Sequence, residues 1–355
     1  MKKYKKFFAL ILFLVFMAYV PLFVFEKLQG ENVRTQTYKG ILNLWHIETF
    51  EGGSGSRAEF LKKRAIEFES KNKGVLVSVQ TYSEEQLLQK LSQGDKFDLI
   101  SFSCGVGCEV RDFVSPYTKS VSVRDDLLQG GMLDGRVYAL PWAFGGYALF
   151  ATDTVVVKTN GVIVAEKLFD YGYNKKDKHK TKVSSLAVGF AQYTNPFKVV
   201  QNFGVVVKKD EWSNDLSTTG YQAYQAFCDG KFALLLGTQR DLSRVELKQS
   251  QGKMQNVVVQ CVGGYTDLVQ YVAYSNNNEQ KAKISQMFMQ FLTNEKSQQK
   301  LTSIQMFSPV LDIYSSGLHL QMQQALARVT ETPNVFSDKQ VLNGQKQKTL
   351  SKVGI

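Results

Sequence analysis

GILNLWH, residues 40–46, is the stretch that decides how the folded part of this chain begins. Its apolar residues indicate a short strand, and a polar, glycine-rich loop follows at residues 51–56. Residues 57–70 then place apolar side chains at helical spacing. The loop therefore leads directly into the amino terminus of a helix.

The same alternation continues downstream of that helix. Residues 75–79 form a second apolar strand, and another helix begins after Ser83, because Ser83 and Gln86 have the spacing of a capping box. A third apolar strand is expected at residues 97–102. Strand, helix, strand, helix, strand is the order typical of a parallel sheet with crossover helices.

The middle of the chain is predicted to be mostly extended, and helices are predicted again toward its end. Extended segments are predicted at residues 137–150, 155–168, 183–206 and 257–274, and residues 227–237 run from a helix end into a strand. Helices are predicted at residues 279–293, 295–304 and 320–329, and the polar tail after Asn334 is expected to be loose. We interpret this order as an α/β chain of two lobes with a ligand cleft between them.

The first thirty residues are not expected to belong to this folded body. Four lysines within residues 2–6 precede 19 uncharged residues, 7–25, which nearly match a hydrocarbon core of about 30 Å. Lysines ahead of such a segment stay on the cytoplasmic side, so the rest of the chain is exported. We expect residues 1–30 to form a retained transmembrane anchor; the alternative is a cleaved signal peptide.

Composition limits the chemistry that the body can perform. The chain has 43 Lys and Arg against 32 Asp and Glu, but only three His and four Cys. With so little material for a metal site or a triad, we expect no metal, no cofactor and no catalytic residues. An exported domain is not expected to bind nucleic acid either. Cys104 and Cys108 are close enough for a small disulfide loop, with Cys228 and Cys261 as the other candidates; the alternative is four free thiols.

Several stretches occur in a fixed order over residues 40–315. They are LNLWHIE at 42–48, FE at 68–69, GVLV at 74–77, DLI at 98–100, GRVYALPW at 135–142, FCDGKFALLLG at 227–237, the helix at 282–293 and SP at 308–309. In this order they resemble the extracellular solute-binding proteins of ABC importers, in the class that includes sugar binders such as maltose-binding protein.

The resemblance implies a type II periplasmic-binding-protein-like fold, in which two α/β lobes joined by hinge strands close over a ligand. One lobe would comprise residues 38–147 and 272–306, and the other residues 150–268 and 312–350. The implied function is that of a monomeric, non-catalytic receptor that captures a small solute, here a carbohydrate, outside the membrane. It would deliver this solute to the permease subunits of an ABC transporter. The chain departs from many relatives in having no lipid-bearing Cys directly after the apolar segment, which bears on its attachment.

The loop between the first strand and the first helix is the sharpest candidate for ligand contact. Its glycines allow backbone N–H groups to converge ahead of a helix, where a ligand oxygen would be stabilised. The candidate residues are Gly53, Ser54, Ser56 and Arg57. The alternative is a mobile surface loop in which Ser54 or Ser56 only caps the helix.

Aromatic residues at strand ends are the second set of candidates. Flat aromatic faces suit the apolar face of a sugar ring. The candidates are Trp45, Trp142, Tyr147 and Tyr265. The alternative is that these rings fill the core.

Polar residues at strand ends complete the predicted site. Gln239 and Arg240 follow a buried strand and offer planar donor arrays, while Glu48 and Ser103 offer oxygens. The alternatives are a salt bridge of Arg240 with Asp241 or a neighbour, a pairing of Glu48 with Arg57, and an ordinary turn at Ser103. His46 is expected to be a hydrogen-bonded structural histidine, and Ser101 and Gly105 are weaker candidates beside Ser103.

Two further functions stay open at this point. The net charge of +11, together with Arg57 and Arg240, would also suit an anionic solute. A membrane-anchored sensor that kept the fold would suit the missing lipid-bearing Cys. An enzyme would need two carboxylates across a cleft, and nothing in the sequence around Glu48 and Asp241 marks them as such a pair.

Overall fold

The computed structural model describes residues 38–152, 163, 184–191, 193–202, 217–254 and 257–352. The predicted anchor at residues 1–30 lies outside these residues, as do most of the predicted strand at 155–168 and part of that at 183–206. Within the described residues, no helix has the length and apolar character needed to cross a membrane.

Strands and helices alternate in the first part of the described chain, and strands predominate in its middle. The strands are β1 (Gly40–Ile47), β2 (Val75–Tyr82), β3 (Leu99–Phe102), β4 (Met132–Leu133), β5 (Arg136–Val137), β6 (Leu140–Phe144), β7 (Tyr147–Thr152), β8 (Ser184–Val188), β9 (Phe232–Thr238), β10 (Val257–Val262), β11 (Gly264–Tyr265), β12 (Val269–Tyr274) and β13 (Val329–Glu331). The α-helices are α1 (Arg57–Lys71), α2 (Glu84–Ser92), α3 (Gly107–Val110), α4 (Asp125–Leu128), α5 (Phe197–Asn202), α6 (Gly220–Cys228), α7 (Gln239–Ser250), α8 (Glu279–Leu292), α9 (Glu295–Gln298), α10 (Gly317–Ala325) and α11 (Lys339–Lys352). Short 3₁₀ turns lie at Arg111–Phe113, Gln129–Gly131 and Gln299–Ile304.

The first sheet has the order β2-β1-β3-β12-β6. β1 is parallel to both β2 and β3, which confirms the parallel sheet predicted for residues 40–102. β12 is antiparallel to β3 and β6. α1 and α8 pack together beside this sheet, and the rings of Phe68 and Phe288 meet edge to face at 5.2 Å.

Local signals explain why the crossover helices begin where they do. Ser83 accepts a hydrogen bond from the backbone N–H of Gln86, and the Gln86 side chain accepts one from the Ser83 N–H, so the predicted capping box is present. Two of the N–H groups that a helix leaves without intrahelical partners are thereby satisfied. The acidic Glu84 and Glu85 in the first turn of α2 complement its dipole.

The second sheet has the order β10-β7-β9-β8. β7 is antiparallel to β9 and β10, while β8 is parallel to β9. The chain passes from the first sheet to the second at Gly145–Gly146, and it returns between β10 and β12 at residues 263–268. Gly145 leaves no room for a side chain in this arrangement, because a Cβ there would lie 2.2 Å from the side-chain oxygen of the buried Gln239. Two sheets joined by crossing segments give the predicted two-lobed α/β fold.

Three predictions of secondary structure are wrong. Residues 197–202 form helix α5 and not a strand. α10 ends at Ala325, and Val329 begins β13, which pairs with β11; that pairing joins distant parts of the chain and leaves no local signal. The tail after Asn334 carries α11 and is anchored there by the buried Leu342 and Leu350.

The cysteines are all free. Cys104 is buried, and Cys108, Cys228 and Cys261 are half-buried. The alternative of four unpaired thiols is therefore the one that the structure supports.

Phe288 provides a test of the packing between α8 and the first sheet. Its side chain is fully buried, so Phe288→Ala leaves a cavity, and we expect it to lower the free energy of unfolding by about 3–5 kcal/mol. The measurement is urea unfolding followed by tryptophan fluorescence. Met287→Ala is the matched control, because its neighbouring side chain is 36% exposed. Equal losses in the two variants would contradict the described orientation of α8.

Candidate functional site

A buried polar network lies near the carboxyl ends of the parallel strands β1 and β3 of the first sheet. Its centre is the hydroxyl of Ser101 on β3, which lies 3.1 Å from His46 Nδ1 on β1. Trp142 Nε1 of β6 donates to the same hydroxyl at 3.0 Å, and Gln270 Nε2 of β12 donates to it at 3.1 Å. One hydroxyl thus links four of the five strands.

The donors in this network determine the tautomer of His46. Arg57 Nη1 donates to Gln270 Oε1 at 3.1 Å, and a guanidinium only donates, so the amide nitrogen of Gln270 must face Ser101. With two donors on its oxygen, Ser101 directs its own proton to His46 Nδ1. His46 therefore carries its proton on Nε2 and donates it to Glu48 Oε1, 3.2 Å away.

Glu48 is the exposed end of this network. Its side chain is 43% exposed, whereas those of His46 and Arg57 are buried. The hydrogen bond from His46 lowers the pKa of Glu48, and Arg57, whose Nε lies 3.7 Å away, lowers it further. The carboxylate is thus held ionised at the end of β1, and the hydrogen bond from the buried His46 fixes its orientation. Both alternatives for these residues are present, namely the Glu48–Arg57 pairing and a hydrogen-bonded His46.

Arg57 is the charged group buried beneath the loop. Its guanidinium lies 4.2 Å from the centre of the Phe50 ring and donates to the Phe50 carbonyl at 2.5 Å. Burial lowers its pKa to about 10, which the charge of Glu48 opposes, so Arg57 remains protonated at neutral pH. Arg57 is therefore not exposed for direct ligand contact in this arrangement.

The loop itself is held in place. Ser56 accepts a hydrogen bond from the Glu59 N–H at 3.2 Å and is the N-cap of α1. The Gly53 N–H donates to Met306 Sδ at 3.1 Å, and a Cβ on Gly53 would lie 2.2 Å from the Gln305 carbonyl oxygen. These contacts argue against a mobile loop and give Ser56 a capping role. Ser54 is half-buried.

Gln239 and Arg240 reach this loop from the second sheet, where they begin α7. Gln239 Nε2 donates to the Glu51 carbonyl at 3.1 Å, and Arg240 Nη1 donates to the Gly53 carbonyl at 2.7 Å. The structure therefore brings the two sets of predicted polar residues into contact with each other. Arg240 makes no salt bridge with Asp241, which pairs with Arg244 at 2.7 Å.

The predicted aromatic residues are buried. Trp45 packs against Tyr82 and Phe97, with ring centres 5.5 and 5.4 Å away. Trp142 stacks on Phe60 at 5.6 Å. Both tryptophans thus contact aromatic rings of the core in this arrangement, as expected if they fill the core. A ligand role for either stays a prediction.

The two tyrosines lie where the chain crosses between the sheets. Tyr147 and Tyr265 donate from their hydroxyls to Asp267, at 2.6 and 2.9 Å, and the Asn195 N–H donates to the same carboxylate at 2.6 Å. Asp267 thus joins both crossing segments. A ligand role for these tyrosines also stays a prediction. Ser103 hydrogen-bonds Thr49 at the end of β3.

Sequence reasoning missed three residues of this region. Gln270 is the one polar residue in the apolar strand VQYVAY, and that contrast could have marked it. Glu51 and Arg244 form an ion pair at 3.2 Å across 193 residues of sequence, for which no local signal exists.

Two observations concern metal binding and the acid pair considered above. Within the described ranges, no group of three His, Cys, Asp or Glu residues could hold a metal ion. Asp241, half of the imagined acid pair, is buried and accepts hydrogen bonds from Arg244 and from the Thr238 N–H. The arrangement is that of oriented donors and acceptors at a junction of two lobes.

This architecture defines a class, that of two-lobed α/β binding proteins. The sequence profile described as "Bacterial extracellular solute-binding protein" matches residues 63–326. The chain belongs to this family, which confirms the resemblance found in the sequence. No match is found among curated proteins.

Solved structures share the fold at low sequence identity. The GacH receptor of Streptomyces glaucescens, solved unliganded and with acarbose, has a TM-score of 0.62 and 14% identity over 89% of this chain and 93% of its own. The sugar-binding protein MalE from Xanthomonas citri has a TM-score of 0.63 and 15% identity over 89% and 92%. Thiaminase I from Bacillus thiaminolyticus has a TM-score of 0.59 and 12% identity over 89% and 100%.

Ser56 and Ser54 offer a matched test of the capping role. Ser56→Ala removes the N-cap of α1, and we expect it to lower the free energy of unfolding by about 1 kcal/mol. Ser54→Ala is expected to change it by less than about 0.5 kcal/mol. Both values come from urea unfolding. A larger loss for Ser54→Ala than for Ser56→Ala would refute the assignment of the cap.

The neutral state of His46 predicts a loss of stability in acid. Burial is the main cause that lowers the pKa of His46, so below about pH 6.5 the unfolded chain takes up a proton that the folded chain resists. Stability should therefore fall between about pH 7.5 and about pH 5.5. The measurement is the free energy of unfolding at both pH values.

His46→Gln is the comparison for this pH dependence. The variant has no titrating group at residue 46, so we expect it to be less stable at neutral pH but to lose less on acidification. An identical loss in wild type and variant would show that His46 is not the group responsible.

Proposed function

We propose that this protein is the extracytoplasmic receptor of an ABC importer that captures a small carbohydrate by closure of its two lobes. The proposal rests on the hydrogen bonds that Gln239 and Arg240 of the second lobe donate to the 51–53 loop of the first lobe. The chain in which they occur belongs to the solute-binding family. Glu48, directly after β1, and the donors Gln239 and Arg240 at the start of α7 are the groups to which hydroxyls would bind.

The chemistry of these groups suits hydroxyl-rich ligands. An ionised carboxylate accepts hydrogen bonds from hydroxyls, and an amide and a guanidinium donate to ring and hydroxyl oxygens. The carbohydrate assignment draws further support from the neighbours, because the GacH receptor was solved with acarbose and the Xanthomonas citri protein is described as sugar-binding.

The mechanism follows from the segments in which the chain crosses between the lobes. Rotation about Gly145–Gly146, residues 263–268 and residues 307–311 would separate the loop of the first sheet from α7 of the second. A ligand that contacts both sides stabilises the closed state by its differential affinity for it. In this mechanism the permease recognises the closed, loaded receptor.

The remaining features of the proposal concern placement and partners. In this proposal one lobe comprises residues 38–147 with 272–306, and the other comprises residues 150–268 with 312–350. The protein is a monomer held at the outer membrane face by residues 1–30. Its partners are the ligand and the permease subunits.

We propose binding without chemical conversion, although one structural neighbour is a thiaminase. That likeness concerns the fold. Burial strongly raises the pKa of Cys104, so this thiol stays protonated and is a poor nucleophile.

The proposal is tested by titrating the purified protein with neutral maltooligosaccharides and, separately, with phosphorylated and carboxylate compounds. Tryptophan fluorescence reports binding. We expect saturable binding of a neutral sugar and none of the anions. Binding of anions alone would contradict the carbohydrate assignment and indicate an anionic solute.

A variant of Glu48 tests whether the sugar binds at the end of β1. Loss of a charged hydrogen-bond acceptor in Glu48→Gln is expected to weaken sugar affinity about 10-fold, since such bonds contribute about 1.5–3 kcal/mol. Glu59→Gln, on the exposed face of α1, is the control and is expected to bind as wild type. Equal affinities in all three proteins would remove Glu48 from the site.

A further inference from the structure

A pocket of about 510 Å³ lies beside the first sheet, away from the lobe junction, and we call it the basal pocket. It is lined by residues 115–118, Arg136, Tyr274 and Asn276. Its volume is in the range of sites that hold small organic molecules. None of these residues takes part in the polar network or in the contacts between the 51–53 loop and α7.

The basal pocket and the lobe junction lie at opposite edges of the first sheet. Glu48 directly follows the carboxyl end of β1, to which β3 is parallel. β12 runs antiparallel to β3 and places Tyr274 beside Leu99, the first residue of β3. A ligand in the basal pocket would therefore be separate from a ligand at Glu48.

Four polar side chains that line the basal pocket are free to bind a ligand. Arg136 of β5 is exposed, and it forms no ion pair with Asp134 of the same hairpin or with any other described acid. Ser115, Thr118 and Asn276 likewise make no side-chain hydrogen bond among the described residues. A guanidinium, two hydroxyls and an amide are the donors that bind an oxyanion.

The hydroxyl of Tyr117 is a further donor without a partner. Tyr117 is 7% exposed, and its hydroxyl is buried without a hydrogen bond of normal geometry. The neighbouring Gln290 instead accepts a hydrogen bond from Lys119 Nζ at 3.4 Å. Buried hydroxyls are nearly always hydrogen-bonded, and an acceptor supplied by a ligand would satisfy this one.

The charge around the basal pocket is positive. Lys119 follows the pocket residue Thr118, and its pKa is lowered by burial and, to a smaller extent, by the charge of Lys283 on α8. Neither lysine forms an ion pair with a described acid, and Glu279, one turn before Lys283, is not within ion-pair distance of it. With Arg136, three cations are thus uncompensated, and their field attracts an anion.

The wall of the basal pocket is formed in advance of binding. The Tyr274 hydroxyl donates to the Pro116 carbonyl at 2.8 Å, and the Tyr117 N–H donates to the Val137 carbonyl at 2.7 Å. Two tyrosine rings and a proline therefore line one pocket together with the free donors. Such a wall suits the organic body of a ligand, because it offers apolar surface that needs no further ordering.

From these features we propose that the basal pocket binds an organic phosphate monoester, with the phosphate at Arg136 and the organic body against Tyr117 and Tyr274. A monoester carries about −1.5 to −2 charges at pH 7, which suits three free cations better than the single charge of a carboxylate. The planar guanidinium binds two phosphate oxygens through parallel N–H groups. The proposal goes beyond the proposed function, because it concerns a different site.

The test is isothermal titration calorimetry of the full-length chain in detergent. The probes are sn-glycerol 3-phosphate and, separately, its dihexanoyl ester, a soluble phosphatidic acid; both present the same phosphate monoester. Saturable binding of either supports the proposal. Tighter binding of the ester indicates a lipid headgroup as the source of the ligand, and tighter binding of glycerol 3-phosphate indicates a free compound. No tryptophan lines the basal pocket, so calorimetry and not tryptophan fluorescence detects this binding.

We expect Arg136→Ala to bind the phosphate at least about 10-fold more weakly than wild type, because the charge-assisted hydrogen bonds of the guanidinium are lost. Tyr117→Phe removes only the unpartnered hydroxyl, so we expect it to fold as wild type and to bind more weakly. Arg328→Ala is the matched control and is expected to bind as wild type, since Arg328 is also exposed but lies outside the basal pocket.

Three results would overturn the proposal. The first is no saturable binding of either probe to wild type, and the second is equal affinity of wild type and Arg136→Ala. The third is displacement of the phosphate by a neutral sugar that binds at the junction, since the two ligands would then share one site. The first two results need no sugar, so a failure of the proposed function leaves them intact.

Discussion

The rest of the structure depends on the hydroxyl of Ser101. It accepts hydrogen bonds from Trp142 and Gln270 and donates to His46, so that a single oxygen connects β1, β3, β6 and β12. Buried polar groups of this kind stabilise only when every partner is present, because an unpaired one is costly in a low-dielectric interior. The network therefore fixes both the strand ends and the orientation of Glu48, which is its only strongly exposed member.

The same constraint extends from the first lobe toward the second. Arg57 joins the network to the loop through Gln270 and the Phe50 carbonyl, and the loop presents its carbonyls to α7. Function at the lobe junction thus rests on groups that are themselves buried and satisfied. Such pre-oriented partners lower the ordering cost of binding, so that more of a ligand's differential affinity for the closed lobes is left to shift the balance toward them.

Local patterns were sufficient to predict the first half of the fold. Alternating apolar runs and the Ser83–Gln86 capping box are signals carried by neighbouring residues, and the structure confirms them. β13 was missed because its partner β11 lies more than sixty residues away in sequence. α11 was missed because few apolar residues mark its buried side.

The site was harder to predict than the fold, for a physical reason. Trp45 and Trp142 lie on strands of a sheet that is covered on both faces, so alternation along the strand does not say which side chain meets solvent. The polar residues Glu48, Gln239 and Arg240 were placed at strand ends, and the structure does bring their segments together. Their partners Glu51 and Arg244 come from opposite lobes and could be recognised only in three dimensions.

The most direct measurement of the central claim is a crystal structure of the protein with a bound maltooligosaccharide. We expect sugar density at the lobe junction, with hydroxyls bound both to residues of the 48–56 loop and to residues at the start of α7. Density confined to the surface of one lobe, with no contact to the other, would contradict it.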